Sequence, residues 1–130
     1  IASILSEVEL STLISLGKEL HMEALVEVHS DAELKKAVEA GATIIGINNR
    51  DLKTLKVDPD RAKQMIPHIP KGIAIVVESG LSTHEELMTY KSLGAHAFLI
   101  GSALMKSGDI AASLQKLLGK KETSVAEGLT

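Results

Sequence analysis

The chain has 130 residues, of which 45% are hydrophobic and 2% aromatic, with a formal net charge of −3 and no cysteine. That length allows one domain with a core of Leu, Ile, Val, Ala and Met, which favours helices packed on an aliphatic parallel sheet. The lack of aromatic platforms, and of any basic cluster longer than Lys120-Lys121, argues against nucleic-acid binding. Without cysteine there is no disulfide framework or thiolate metal site, in keeping with a reducing cytoplasm. No apolar run reaches the ~18 residues of a membrane helix. The start, Ile1-Ala2-Ser3-Ile4-Leu5, has no basic flank for a secretory signal and no initiator Met, which points to a segment cut from a larger protein.

In chain order, a first helix is expected from Ser6, with Glu9 three residues on as a capping box and Val8, Leu10, Leu13, Ile14 and Leu20 as its apolar stripe. Ala24 to His29 reads as a strand. Ser30-Asp31-Ala32-Glu33 opens a helix to Glu39, and Gly41 ends it. Thr43 to Ile47 is the second strand, followed by a loop from Asn48 to Asp58. Asp58-Pro59 opens a short helix that Pro67 and Pro70 end. Ile73 to Val77 is the third strand, and Ser82-Thr83-His84-Glu85 caps a helix to Leu93. Ala97 to Ile100 is the fourth strand, Gly101-Ser102 a turn, and Ile110 to Leu118 the last helix. Gly119 to Thr130 reads as a polar tail or linker.

Helix, Gly-Ala, strand is a weak repeat, seen at Glu39-Ala40-Gly41-Ala42 and Ser92-Leu93-Gly94-Ala95. Four such units make half of an eight-stranded βα barrel, or a flavodoxin-like sheet. Four strands alone leave two open edges, which invite pairing with a second copy or with missing strands.

Polar residues at the carboxyl ends of parallel strands are where such folds keep their chemistry. Glu27 alternates with Val26 and Val28, so it faces away from them; inside a barrel its pKa would rise and it could act as a general base. A half-exposed strand Glu is an equal reading. His29 shares its face and is either its partner or only a strand-end residue, the latter being the preferred reading. Asn48 and Arg50 follow the second strand, where Arg can hold a carboxylate or phosphate by two hydrogen bonds; turn chemistry and an Arg50–Asp51 pair are the bland alternative. Asn49 reads as turn chemistry. Glu78-Ser79-Gly80 ends a fully apolar strand, where an acid is costly unless paired or reaching a ligand. Gly80 and Ser79, and one unit later Gly101 and Ser102, have the spacing of a barrel phosphate site. His21, His68, His84 and His96 are scattered with no metal-ligand spacing, and Met65, Met88 and Met105 read as core gap-fillers. No Ser–His–Asp arrangement stands out.

Leu25-Val26-Glu27-Val28-His29, Gly46-Ile47-Asn48-Asn49-Arg50-Asp51-Leu52-Lys53-Thr54, Glu78-Ser79-Gly80 and Phe98-Leu99-Ile100-Gly101-Ser102-Ala103-Leu104-Met105 together resemble the carboxyl-terminal half of the indole-3-glycerol-phosphate synthase family. The resemblance implies strands five to eight of a (β/α)8 TIM barrel over residues 1–118, with Ile1 to Leu5 as the tail of the fourth strand. It implies ring closure of 1-(2-carboxyphenylamino)-1-deoxyribulose 5-phosphate, with loss of CO2 and water, and no metal or organic cofactor. Glu27 would be the catalytic base, with Asn48 and Glu78 beside it in the catalytic set. Arg50 and Ser79 would bind substrate, and Gly80, Gly101 and Ser102 the phosphate. The partner is a small phosphorylated molecule, not nucleic acid or membrane.

The family's two essential lysines belong to its first four strands, and Lys53, Lys56 and Lys71 do not match them. The chain alone is therefore expected to be inactive. The rivals are another phosphate-binding barrel, of phosphoribosyl isomerase or thiamine-phosphate synthase type, and a non-catalytic half-barrel that associates with itself or a missing half.

Overall fold

The computed structural model describes residues 1–120. Helix α1 (Glu7–Glu19) starts as its sequence dictates: Ser6 Oγ accepts from the Glu9 N–H while the Glu9 carboxylate accepts from the Ser6 N–H. Strand β1 (Leu25–Val28) follows, then α2 (Asp31–Glu39), β2 (Ile44–Asn48), α3 (Asp60–Met65), β3 (Ala74–Glu78), α4 (His84–Leu93), β4 (Ala97–Leu99), α5 (Ser102–Met105) and α6 (Ile110–Leu117). The four strands are parallel and hydrogen-bonded in the order β1-β2-β3-β4. This is the half-barrel arrangement expected from the repeat, and the unbroken strand order sets aside a flavodoxin-like crossover.

The repeat also explains how two helices end. Gly41 and Gly94 both adopt positive φ, and the N–H of the following alanine reaches back to close the helix, Ala42 to the Ala37 carbonyl and Ala95 to that of Tyr90. Glycine pays little to enter this conformation, so Gly-Ala is a stop signal that aims the chain into the next strand.

One sheet face carries the core. Val26, Val28, Ile45, Ile47, Ile75 and Val77 are buried with Leu10, Ile14, Leu34, Leu87 and Tyr90 from the helices. Each such side chain contributes about 1.5–3 kcal/mol by leaving water. The other face follows from the period of two. Glu27, Gly46, Val76 and Ala97 form one register row, and Asn48, Glu78 and Leu99 the next. Leu25 and Leu99 on this face stay exposed.

Several expectations need correction. Ile1 to Leu5 is not a strand tail, because Ala2–Ile4 forms a 3-10 turn. In the α1 stripe Leu10 and Ile14 are buried, but Val8, Leu13 and Leu20 are exposed, since nothing described packs on that flank. The α4 cap is Thr83 rather than Ser82, with Glu86 rather than Glu85 closing the box. Ser30 caps Glu33, but the Glu33 carboxylate passes the cap and accepts from the His29 N–H. Helix α3 does stop before Pro67, at Met65, but a 3-10 turn, Ile66–His68, follows it before Pro70. Gly101-Ser102 is the start of α5 rather than a free turn, and Ile100 lies beyond β4. Met65 is buried, whereas Met88 and Met105 are exposed. Gly119, with positive φ, and Lys120 finish α6, the latter donating to the Gln115 carbonyl. The remainder of the expected tail lies outside the described residues.

Candidate functional site

Asn48 and Glu78 are not loop residues. Each is the last residue of its strand, and the two are register partners. Their side chains therefore leave the same face as Glu27, one pleat further on. Asn48 Nδ2 donates to Glu27 Oε1 at 2.9 Å, while Asn48 Oδ1 accepts from the Arg50 N–H at 2.9 Å. One amide thus fixes both the Glu27 carboxylate and the start of the loop that carries Arg50.

Glu78 is buried, and its Oε1 has no hydrogen-bond partner. Burial pushes its carboxyl up to about 7, with the negative charge of Glu27 and a carboxyl–carboxylate hydrogen bond to Glu27 adding to the shift. The approach depends on Gly46. A Cβ there would collide with Glu78 Oε1 and lie 3.2 Å from Leu25 Cδ1. A glycine inside an otherwise β-branched strand marks close passage of another group, and here that group is a carboxylate.

Arg50, Glu78, Ser79, Gly80, Gly101 and Ser102 line a single cavity of about 260 Å³ with Leu99 and Ile100. Six of the eight residues singled out by sequence thus share one cavity, and the other two, Glu27 and Asn48, adjoin it through Glu78. Ser79 has φ +66°, a left-handed conformation that costs a non-glycine residue about 1–2 kcal/mol. Gly80, at φ +70°, must also be glycine for space, because a Cβ would strike Val57. A Cβ on Gly101 would meet nothing within 4 Å, so that glycine leaves open cavity. The Arg50 guanidinium donates to the Leu55 carbonyl at 3.0 Å, not to Asp51. Asp51 instead caps its own loop, accepting from the Lys53 and Thr54 N–H groups, which hold its carboxyl below the usual range.

Asn49 is more than turn chemistry. Fully buried, it donates to the Ser79 carbonyl and the Tyr90 hydroxyl and accepts from the Ala62 N–H. It ties the loops after β2 and β3 to α3 and α4, and its hold on Ser79 stabilises the strained backbone there. Tyr90, the sole tyrosine in the sequence, completes this staple by donating to the Pro59 carbonyl at 2.7 Å. His96, His84 and His68 bond to Ile75, Leu117 and Asp31, outside the site. His29 belongs to it: its ring lies between Glu27 and Glu33. Its position two residues after Glu27 was the available sign. Among the described residues no His, Cys, Asp and Glu group is arranged to hold a metal, and no helix is long and apolar enough to cross a membrane.

Solved α/β barrel structures of low sequence identity share this fold. A mandelate oxidase mutant superposes with a TM-score of 0.65 at 16% identity, covering 85% of this chain and 38% of that one. A native KDPGal structure gives 0.60 at 21%, covering 87% and 51%. Sequence relatives are closer. The indole-3-glycerol phosphate synthase of Sulfurimonas denitrificans is 45% identical over 117 residues, 90% of this chain and 44% of its own length. That of Dehalococcoides mccartyi strain BAV1 is 45% identical over 118 residues, 91% of this chain and 46% of its own. The chain therefore spans less than half the length of the curated relatives it matches. The family model for indole-3-glycerol phosphate synthase matches residues 1–117, and the chain belongs to that family.

Proposed function

We propose that this chain supplies the carboxyl-terminal half of an indole-3-glycerol phosphate synthase site, with Glu27 as the base that takes a proton during ring closure. The observation that carries this reading is the Glu27–Asn48 hydrogen bond beside buried Glu78, whose Oε1 has no hydrogen-bond partner. Asn48 holds the Glu27 carboxyl group in place by a hydrogen bond, and Glu78, whose carboxyl burial pushes up to about 7, serves as a donor at the reacting centre. Arg50 takes the substrate carboxylate, with Ser79 adding its hydroxyl. Gly80, Gly101 and Ser102 form the phosphate cradle, and the open space at Gly101 supports that role.

No lysine lines the cavity. The proton donor for loss of water, and the cation that completes the carboxylate site, would therefore come from the other half of the barrel. The edges of the sheet at β1 and β4 are where that half would join. An unpaired edge row of backbone groups is stabilised by pairing.

The test is a complete barrel made by joining this chain behind the amino-terminal half of the Sulfurimonas denitrificans synthase. Given 1-(2-carboxyphenylamino)-1-deoxyribulose 5-phosphate, it should produce the fluorescent indole product, and Glu27→Gln should lower kcat by about 10²-fold or more. A folded barrel that makes no product, or one indifferent to Glu27→Gln, overturns the reading.

A further inference from the structure

Glu27 has a second neighbour besides Asn48. His29 Nε2 lies 3.2 Å from Glu27 Oε1, and His29 Nδ1 lies 3.4 Å from Glu33 Oε2. The His29 side chain is only 14% exposed, and its Nε2 is buried without an aligned hydrogen bond despite the closeness of Glu27. Glu33 holds His29 from below: its Oε2 also accepts from the His29 backbone N–H at 2.7 Å, and Ser30 Oγ in turn caps the Glu33 N–H. The imidazole is thus fixed by the first turn of α2, with one nitrogen toward each carboxylate.

A neutral imidazole carries one N–H and one bare nitrogen. In the tautomer with its proton on Nδ1, beside Glu33, Nε2 is the bare nitrogen and lies 3.2 Å from Glu27 Oε1. Once Glu27 has taken a proton, its O–H can donate to Nε2. On the far side of the ring, Ser3, Glu33, Asp51, Leu52 and Lys53 surround a second cavity of about 230 Å³ that His29 also lines. This cavity shares no lining residue with the one that holds Arg50 and Glu78.

We propose that His29 is a positioning residue that clears the proton from Glu27 after each turnover, an inference that rests on Glu27 being the base. The Glu27 O–H bond breaks as Nε2–H forms, and the resulting imidazolium stands between two carboxylates. It then gives one proton to water in the second cavity, directly or through Glu33, and the neutral ring returns. The substrate proton ends in solvent, and Glu27 is ionised again.

The experiment uses the complete barrel described above, with His29→Ala and His29→Gln. Glutamine can hold Glu27 by donating an N–H but cannot pass a proton. Both variants should lower kcat by about 10-fold or more with KM within about twofold. Added imidazole should restore much of the loss in His29→Ala, whose shortened side chain enlarges the second cavity, and none in His29→Gln. Asp51 and Lys53 also face that cavity, so Asp51→Asn and Lys53→Met are controls that should leave the imidazole response intact.

A His29→Gln barrel with kcat near that of the unsubstituted protein overturns the proposal. So does a His29→Ala barrel that stays folded by circular dichroism and does not respond to imidazole. Failure of the synthase reading itself shows separately, as activity in Glu27→Gln or its absence from the unsubstituted barrel.

Discussion

The Glu78 carboxyl crosses β2 directly over Gly46, at a point where a single methyl group would occupy the position of its Oε1. This one contact brings two acids from strands that are not neighbours, β1 and β3, into electrostatic reach. The strand between them has been pared down to backbone.

Gly46→Ala should therefore displace Glu78 rather than fill a void. Overpacking of this kind costs about 1–3 kcal/mol, and a shift of about 1 Å in a catalytic group can cost about 10²-fold in rate. In the complete barrel, kcat should fall by at least 10-fold, on the order expected from such misplacement, alongside a lower Tm. A variant with unchanged kcat would show that Glu78 is not held by this contact.

The raised pKa of Glu78 has a defined effect on stability. Between pH 4.5, its ordinary value, and about 7, the folded protein keeps a proton that the unfolded chain has released. Raising pH through this window draws that proton off and weakens the fold. Below it the residue makes no difference, and above it the whole cost of burying the ionised group is present. Denaturation of the complete barrel at pH 5 and pH 8 should show Glu78→Gln gaining on the order of 2–3 kcal/mol relative to Glu78 at the higher pH. Equal differences at both pH values would refute the shift.

Adjacent asparagines should give opposite phenotypes. Asn49→Ala leaves the Tyr90 hydroxyl, the Ser79 carbonyl and the Ala62 N–H to rearrange inside the core, and should cost about 2–4 kcal/mol in denaturant titration. Asn48→Ala removes the bond to Glu27 and should cost only about 1 kcal/mol, but kcat should fall by about 10²-fold. If both lose stability equally, the separation of roles fails.

Arg50→Lys keeps the charge and loses the planar fork. Its expected signature is a KM raised by about 10-fold or more with kcat little changed, because a uniform binding contact is removed. A fall in kcat alone would move Arg50 from binding to chemistry.

Much of this molecule is written locally. The Ser6 cap, the Gly41 and Gly94 stops and the β-branched runs each act within a few residues, so the four strands and the longer helices were legible to within a residue or two, whereas the short α5 was not. The strand-end places of the eight candidate residues were legible for the same reason: strand ends are found from strand periodicity. What local pattern missed were the choices made by neighbours. Thr83 prevails over Ser82 because Glu86, not Glu85, completes its box, and Glu33 serves His29 instead of its own cap. Val8, Leu13 and Leu20 match a helical stripe, yet burial depends on what packs there.

The sequence by itself determined four βα units, the strand-end polar residues and the family, because capping, alternation and turn chemistry are short-range. Only the tertiary structure decided that Glu27, Asn48 and Glu78 meet, that Asn49 is a staple, and that Gly46 is a passage for a carboxylate. Those facts depend on the parallel register, which sets residues 21 to 41 positions apart side by side, and no local preference of the chain encodes it.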